Sequence, residues 1–109
     1  MPRFLVQATF NQEATKRLIE DGGTKRAAAV QELLKQQEAR LESLYFSPQN
    51  EGPDAFAIIE VPVGGADALG VIALAGRTTG ITLTARRILT PEELDKLVAK
   101  SKSIPVLGK

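Results

Sequence analysis

Four stretches of this chain combine period-two alternation with β-branched and aromatic residues: RFLVQATF (3–10), RLESLYFS (40–47), AFAIIEVP (55–62) and ITLTARRIL (81–89). A period of two sends successive side chains to opposite faces of a strand. Helix-patterned sequence fills the first and third gaps between these stretches, while only the short polar loop PQNEGPD separates the second from the third. The order is therefore β-α-β-β-α-β, with a further helix after the last strand. With right-handed crossovers this order gives one α+β fold, the ferredoxin-like βαββαβ plait, whose helices cover one face of a four-stranded antiparallel sheet. A chain of 109 residues holds one such domain, with a core over about 3–98 and a C-terminal tail over 99–109.

The helices carry their own punctuation. Asn11 caps a first segment, QEATKRLIE; DGG (21–23) breaks it; Thr24 caps a second, KRAAAVQELLKQQEA. The second segment puts Ala27, Val30 and Leu34 on one face, with Leu33 and Gln37 flanking, and charged residues opposite. ADALGVIALAG (66–76) is apolar on nearly every side and reads as a short buried helix, with Gly70 permitting close backbone approach. TPEEL begins the last helix with an N-cap at Thr90, proline at the first helical position and Glu93 closing a capping box.

Phasing the strands separates two faces. Phe4, Val6, Ala8, Phe10, Leu44, Phe46, Ala55, Ala57, Ile59, Val61, Ile81, Leu83 and Ala85 form a hydrocarbon face that meets the helices. The other face mixes Leu5, Leu41, Phe56, Ile58 and Ile88 with Gln7, Thr9, Ser43, Tyr45, Glu60, Thr82, Thr84 and Arg86. That face is too apolar for water and too polar for a dry core, and large exposed apolar patches mark interfaces. The expectation is two sheets packed face to face, a dimeric α+β barrel enclosing a semi-polar cavity.

Composition narrows the chemistry. The chain has no histidine and no cysteine. It therefore lacks the commonest general base, the usual haem ligand, thiolates and disulfides, and neither metal nor cofactor is expected. Fourteen basic residues balance 13 acidic ones, for a net charge of +1, which gives no drive toward nucleic acid or an anionic membrane. Neither glycine pair has phosphate-loop spacing, and DAFAIIEVP lacks the stacking aromatics of an RNA-binding plait. No apolar run reaches the roughly 20 residues of a membrane helix, and FLV is too short for a secretory signal, so a cytoplasmic location is expected.

SLYF, then GPDAFAIIEVP, with ARRILTPEEL near the end, resembles the GYD family of small bacterial proteins in the dimeric α+β barrel superfamily. The resemblance spans roughly residues 3–98. The family's Gly-Tyr-Asp triplet is Gly52-Pro53-Asp54 here, so Gly52 and Asp54 match and the tyrosine does not; QQEAR replaces the usual glycine-rich turn. The resemblance implies a homo-oligomer of unassigned activity. The wider superfamily contains cofactor-free monooxygenases, lactone isomerases and ligand-sensing modules, and a shared fold does not confer a shared reaction.

Asp54, between a proline and a strand, suits a turn that its carboxylate fixes, with a base or ligand anchor as the alternative. Glu60, on the mixed face, needs a partner if buried, and Arg86 is the expected one, forming either an interface salt bridge or a ligand clamp. Tyr45, with Gln7, Thr9, Ser43, Thr82 and Thr84, would line the cavity and hydrogen-bond a small organic ligand or water. Arg87, on the other parity, reaches solvent or a helix end. MPRFLV resembles the start of tautomerases, whose N-terminal proline amine is a base, but the element order follows the GYD pattern instead. The leading expectation is a homo-oligomeric small-molecule-binding or accessory protein. The alternatives are a cofactor-independent oxygenase or isomerase acting on a small carbonyl or aromatic compound, and a purely structural assembly module.

Overall fold

A computed structural model describes residues 1–49 and 51–105. Strand β1 (Arg3–Phe10) leads to helix α1 (Gln12–Gln36), β2 (Arg40–Phe46), β3 (Ala55–Glu60), α2 (Ala66–Thr78), β4 (Ile81–Ile88) and α3 (Pro91–Lys102). The sheet order is β2-β3-β1-β4 and every pairing is antiparallel. This is the α+β plait expected from the strand pattern.

Local chemistry accounts for the boundaries. The Asn11 side chain accepts from the Ala14 N–H at 2.9 Å and starts α1, while the Asn11 N–H donates to the Gly80 carbonyl at 2.8 Å. Gly80 has φ +82°, and a Cβ there would collide with the Asn11 side chain, so only glycine serves. The break expected at DGG is a kink within one helix, with Gly22 at φ 80°, ψ 169°. At α3, Thr90 Oγ1 accepts from the Glu93 N–H at 3.1 Å and the Glu93 carboxylate accepts from the Thr90 N–H at 3.0 Å, completing the capping box.

The core lies between the sheet and the first two helices. Leu34, Ile59, Val61, Ala68 and Ile72 are buried, with Phe4, Val6, Val30, Leu33 and Leu83 packed around them. These are the covered-face residues of the strand phasing, with one correction. A bulge between Leu41 and Ser43 shifts the parity of β2, so Leu41 pairs with Ile59 and packs on the core instead of lying on the open face.

Two further readings are corrected. The α2 helix is half-clad rather than buried all round, with Val71 and Leu74 43% and 61% exposed. Its close backbone approach falls at Gly76, against the Ile81 carbonyl, and Gly70 faces open space.

Helix α3 stands apart from this core. Every residue of α3 except Glu93 is exposed, including Leu94, Leu97 and Val98. The radius of gyration is 16.8 Å, against the ~13 Å of a compact domain of this length. The tail beyond residue 105 lies outside the described residues.

Candidate functional site

Register arranges the open face in rows. Tyr45, Phe56, Gln7 and Thr84 form one row across β2, β3, β1 and β4. Ser43, Ile58, Leu5 and Arg86 form the next; Arg40, Glu60, Arg3 and Ile88 the last; and Thr9 pairs with Thr82 at the opposite end. Gln7, Tyr45 and Thr84 therefore sit level with one another, flanked by Ser43 and Arg86. Tyr45 is 70% exposed, on the outer strand β2. A surface of this kind offers hydroxyls, an amide and one guanidinium over an apolar floor of Leu5, Phe56 and Ile58.

Glu60 lies elsewhere and has different partners from the one expected. It is the buried polar residue of the described chain, 9% exposed. It accepts a hydrogen bond from Arg40 Nη2, with Arg3 Nη2 3.9 Å away. Arg3 Nε in turn donates to Glu42 at 2.9 Å. Arg86 is two strands and one row removed, about 12 Å at ordinary strand spacing, and forms no ion pair with Glu60.

The direct hydrogen bond from Arg40 holds the Glu60 carboxyl below its ordinary pKa; burial opposes this, and the charges of Arg40 and Arg3 assist it. The same contact raises the Arg40 pKa. Two arginines and two glutamates thus close one end of the sheet as a neutral cluster, with its central carboxylate committed. Arg3, Arg40 and Glu42 were not singled out in the sequence. Arg3 opens β1 on the open-face parity, which is a readable signal, whereas Arg40 and Glu42 join Glu60 only because β2 bulges.

Asp54 ties the loop before β3 to the end of β1. Its Oδ2 accepts from the Phe10 N–H at 2.8 Å, its N–H donates to the Ala8 carbonyl at 2.8 Å, and its carbonyl accepts from the Ser47 N–H at 2.8 Å. Gly52, at φ +82°, turns the chain into this arrangement. Arg87 approaches Glu93 at 3.8 Å and links β4 to the start of α3. Among the described residues, no group of three or more acidic, histidine or cysteine side chains comes together as a metal site, and no helix is long and apolar enough to cross a membrane.

The covered face holds a feature the sequence reading missed. Between α1, α2 and the sheet lies an apolar cleft of about 290 Å³, walled by Val30, Leu33, Phe46 and Leu83, with Arg26 on its lining. The signal was Ala29 on α1 opposite Ala55 and Ala57 on the sheet: small residues on both sides of one layer. A scan against protein-family models finds no match, and a search of curated proteins finds none either.

Proposed function

We propose that this protein is a GYD-type homo-oligomer that assembles through the open sheet face and holds a small organic molecule between apposed sheets, as a binder rather than a catalyst. One observation carries the reading. The chain exposes 7933 Å², whereas a compact monomer of its mass exposes on the order of 5,900 Å². The excess is more than the roughly 800 Å² that each partner gives to a standard interface. Tyr45 of the open face and Leu94, Leu97 and Val98 of α3 are among the large side chains the chain exposes, beside Ile19, Val63, Val71, Leu74 and Ile104 elsewhere.

The chemistry of the open face supports binding over turnover. Gln7, Thr9, Ser43, Tyr45 and Thr84 supply neutral hydrogen-bonding groups, and Arg86 suits an anionic or carbonyl oxygen. Glu60, the carboxylate on that face best placed to act as a base, already pairs with arginine. The Gly52 and Asp54 match, the LTPEE helix start and the plait together support the GYD assignment.

Light scattering tests the assembly. The expected mass is a multiple of 11.7 kDa, and Ile58→Lys, in the middle of the face, should reduce it to one chain. A wild-type mass equal to the monomer overturns the proposal. Native mass spectrometry of freshly purified protein then seeks the co-purified compound, and turnover of that compound would make the protein a cofactor-independent enzyme instead.

A further inference from the structure

The cleft on the covered face exists because small residues meet there. Ala29 of α1 and Ala75 and Gly76 of α2 face Ala8, Ala55 and Ala57 of the sheet, and Ala8 pairs directly with Ala55. Cores normally fill such space to crystal-like density. Here about 290 Å³ is left, bounded almost wholly by hydrocarbon. Enclosed apolar cavities stay dry and accept apolar guests; this cleft opens to solvent on one side, so an apolar guest would displace water from it.

Apart from Thr79 at the rim, one polar side chain interrupts the lining. Arg26 stands one turn before Ala29 and Val30 on the same side of α1. Its Nε is buried and has no hydrogen-bond partner. Among the described residues no carboxylate pairs with it. A second guanidinium, that of Arg17, donates to the carbonyl of Thr79 at the rim of the same cleft. A buried, unmet guanidinium N–H is costly, and a planar carboxylate that accepts from Nε and a neighbouring Nη is its best partner.

We propose that the cleft between α1 and α2 binds a single-chain monocarboxylate of about eight to ten carbons, its tail in the alanine-lined space and its carboxylate on Arg26. The length follows from the volume. An apolar cavity of ~150 Å³ takes benzene, six carbons; about twice that volume holds roughly ten to twelve non-hydrogen atoms, which are eight to ten carbons and two oxygens. The site lies on the opposite side of the sheet from the proposed interface and stands whether or not that interface forms.

Octanoate, octan-1-ol and hexadecanoate, titrated into the full chain by calorimetry and methyl NMR, test this. Octanoate should bind one per chain and shift the methyl signals of Val30, Leu33 and Leu83. Octan-1-ol should bind at least tenfold more weakly, and hexadecanoate should gain nothing over octanoate from its longer tail. Arg26→Gln should weaken octanoate tenfold or more and leave octan-1-ol nearly unchanged. Ala57→Leu should fill the space and abolish binding of both; if that variant fails to fold, Ala29→Leu serves from the helix side.

Equal affinity for the acid and the alcohol in wild type, insensitivity to Arg26→Gln, or absence of octanoate binding overturns the proposal. So do shifts confined to Leu5 and Ile58 on the open face. Shifts of Val30 and Leu33 that follow protein concentration rather than ligand would make the cleft a seat for a second copy and overturn it equally.

Discussion

Asp54→Ala should destabilise the fold by about 2 kcal/mol. The carboxylate accepts from the half-buried Phe10 N–H at 2.8 Å, at the last residue of β1. Hydrogen bonds to charged groups contribute ~1.5–3 kcal/mol, and a buried donor left without an acceptor costs ~1–3 kcal/mol. The Phe10 N–H has no other acceptor at that point, and the two backbone bonds of Asp54 survive the substitution. The change therefore removes one charge-assisted bond and little else. At the usual unfolding entropy per residue, ~2 kcal/mol in a chain of this length lowers Tm by about 9 °C. Asp54→Asn keeps an oxygen in the same place and should cost well under half as much. Urea unfolding followed by circular dichroism measures both. If Asp54→Ala leaves the midpoint within error of wild type, the carboxylate is not holding this turn. Half of the remaining Gly-Asp signature would then be free for chemistry, and the division between a fixed turn and an uncommitted open face fails.

Three other outcomes follow from single contacts. Gly80→Ala forces an unfavourable left-handed residue and displaces the Asn11 cap, so about 2–3 kcal/mol should be lost in thermal unfolding. Glu60 has a folded pKa below its ordinary 4.5, so the stability it contributes is complete above that value and lost as pH falls through the lower folded one. Urea midpoints of wild type and Glu60→Gln should differ at pH 7 and draw together as pH falls below 4.5; a gap that stays constant as pH falls from there would refute the linkage. Thr90→Ala removes a cap worth ~1 kcal/mol from a helix whose Leu94, Leu97 and Val98 stay exposed. Helicity should fall without a shift in core unfolding of the monomer, and if α3 docks on a second copy, assembly should weaken by up to about fivefold.

The plait was legible because its signals are local. Alternation is partial in β1 and clear over ITLTAR in β4, Asn11 and Thr90 cap as their side chains dictate, and the LTPEE start needs no tertiary information. What escaped the sequence depends on register or on missing volume. Period-two phasing carried through Glu42 put Leu41 on the wrong face, because a bulge leaves no mark that alternation alone can detect. Glu60 was matched to Arg86 by face, but the order β2-β3-β1-β4 flanks it with the strands that begin at Arg40 and Arg3. The cleft escaped because alanine satisfies a helix face and a strand face equally well. Only when the two layers are set against each other does the shortage of side-chain volume show.

The position of Glu60 changes what the open face can do. A carboxylate in the Tyr45–Gln7–Thr84 row would stand over Phe56, away from Arg40 and Arg3 and one row from Arg86; under an apposed sheet, desolvation would raise its pKa and favour a base. Glu60 instead occupies the last row, where Arg40 and Arg3 lower its pKa and keep it charged. Proton abstraction by a carboxylate in this setting is weak, and removing either arginine would raise its basicity while loosening the sheet end. The rows that remain carry hydroxyls, an amide and Arg86, which under the proposed binding role would orient a ligand without exchanging protons with it readily at neutral pH. With no histidine in the chain, these groups fit the proposed binding role better than proton transfer. An enzymatic role would need reactivity supplied largely by the bound compound.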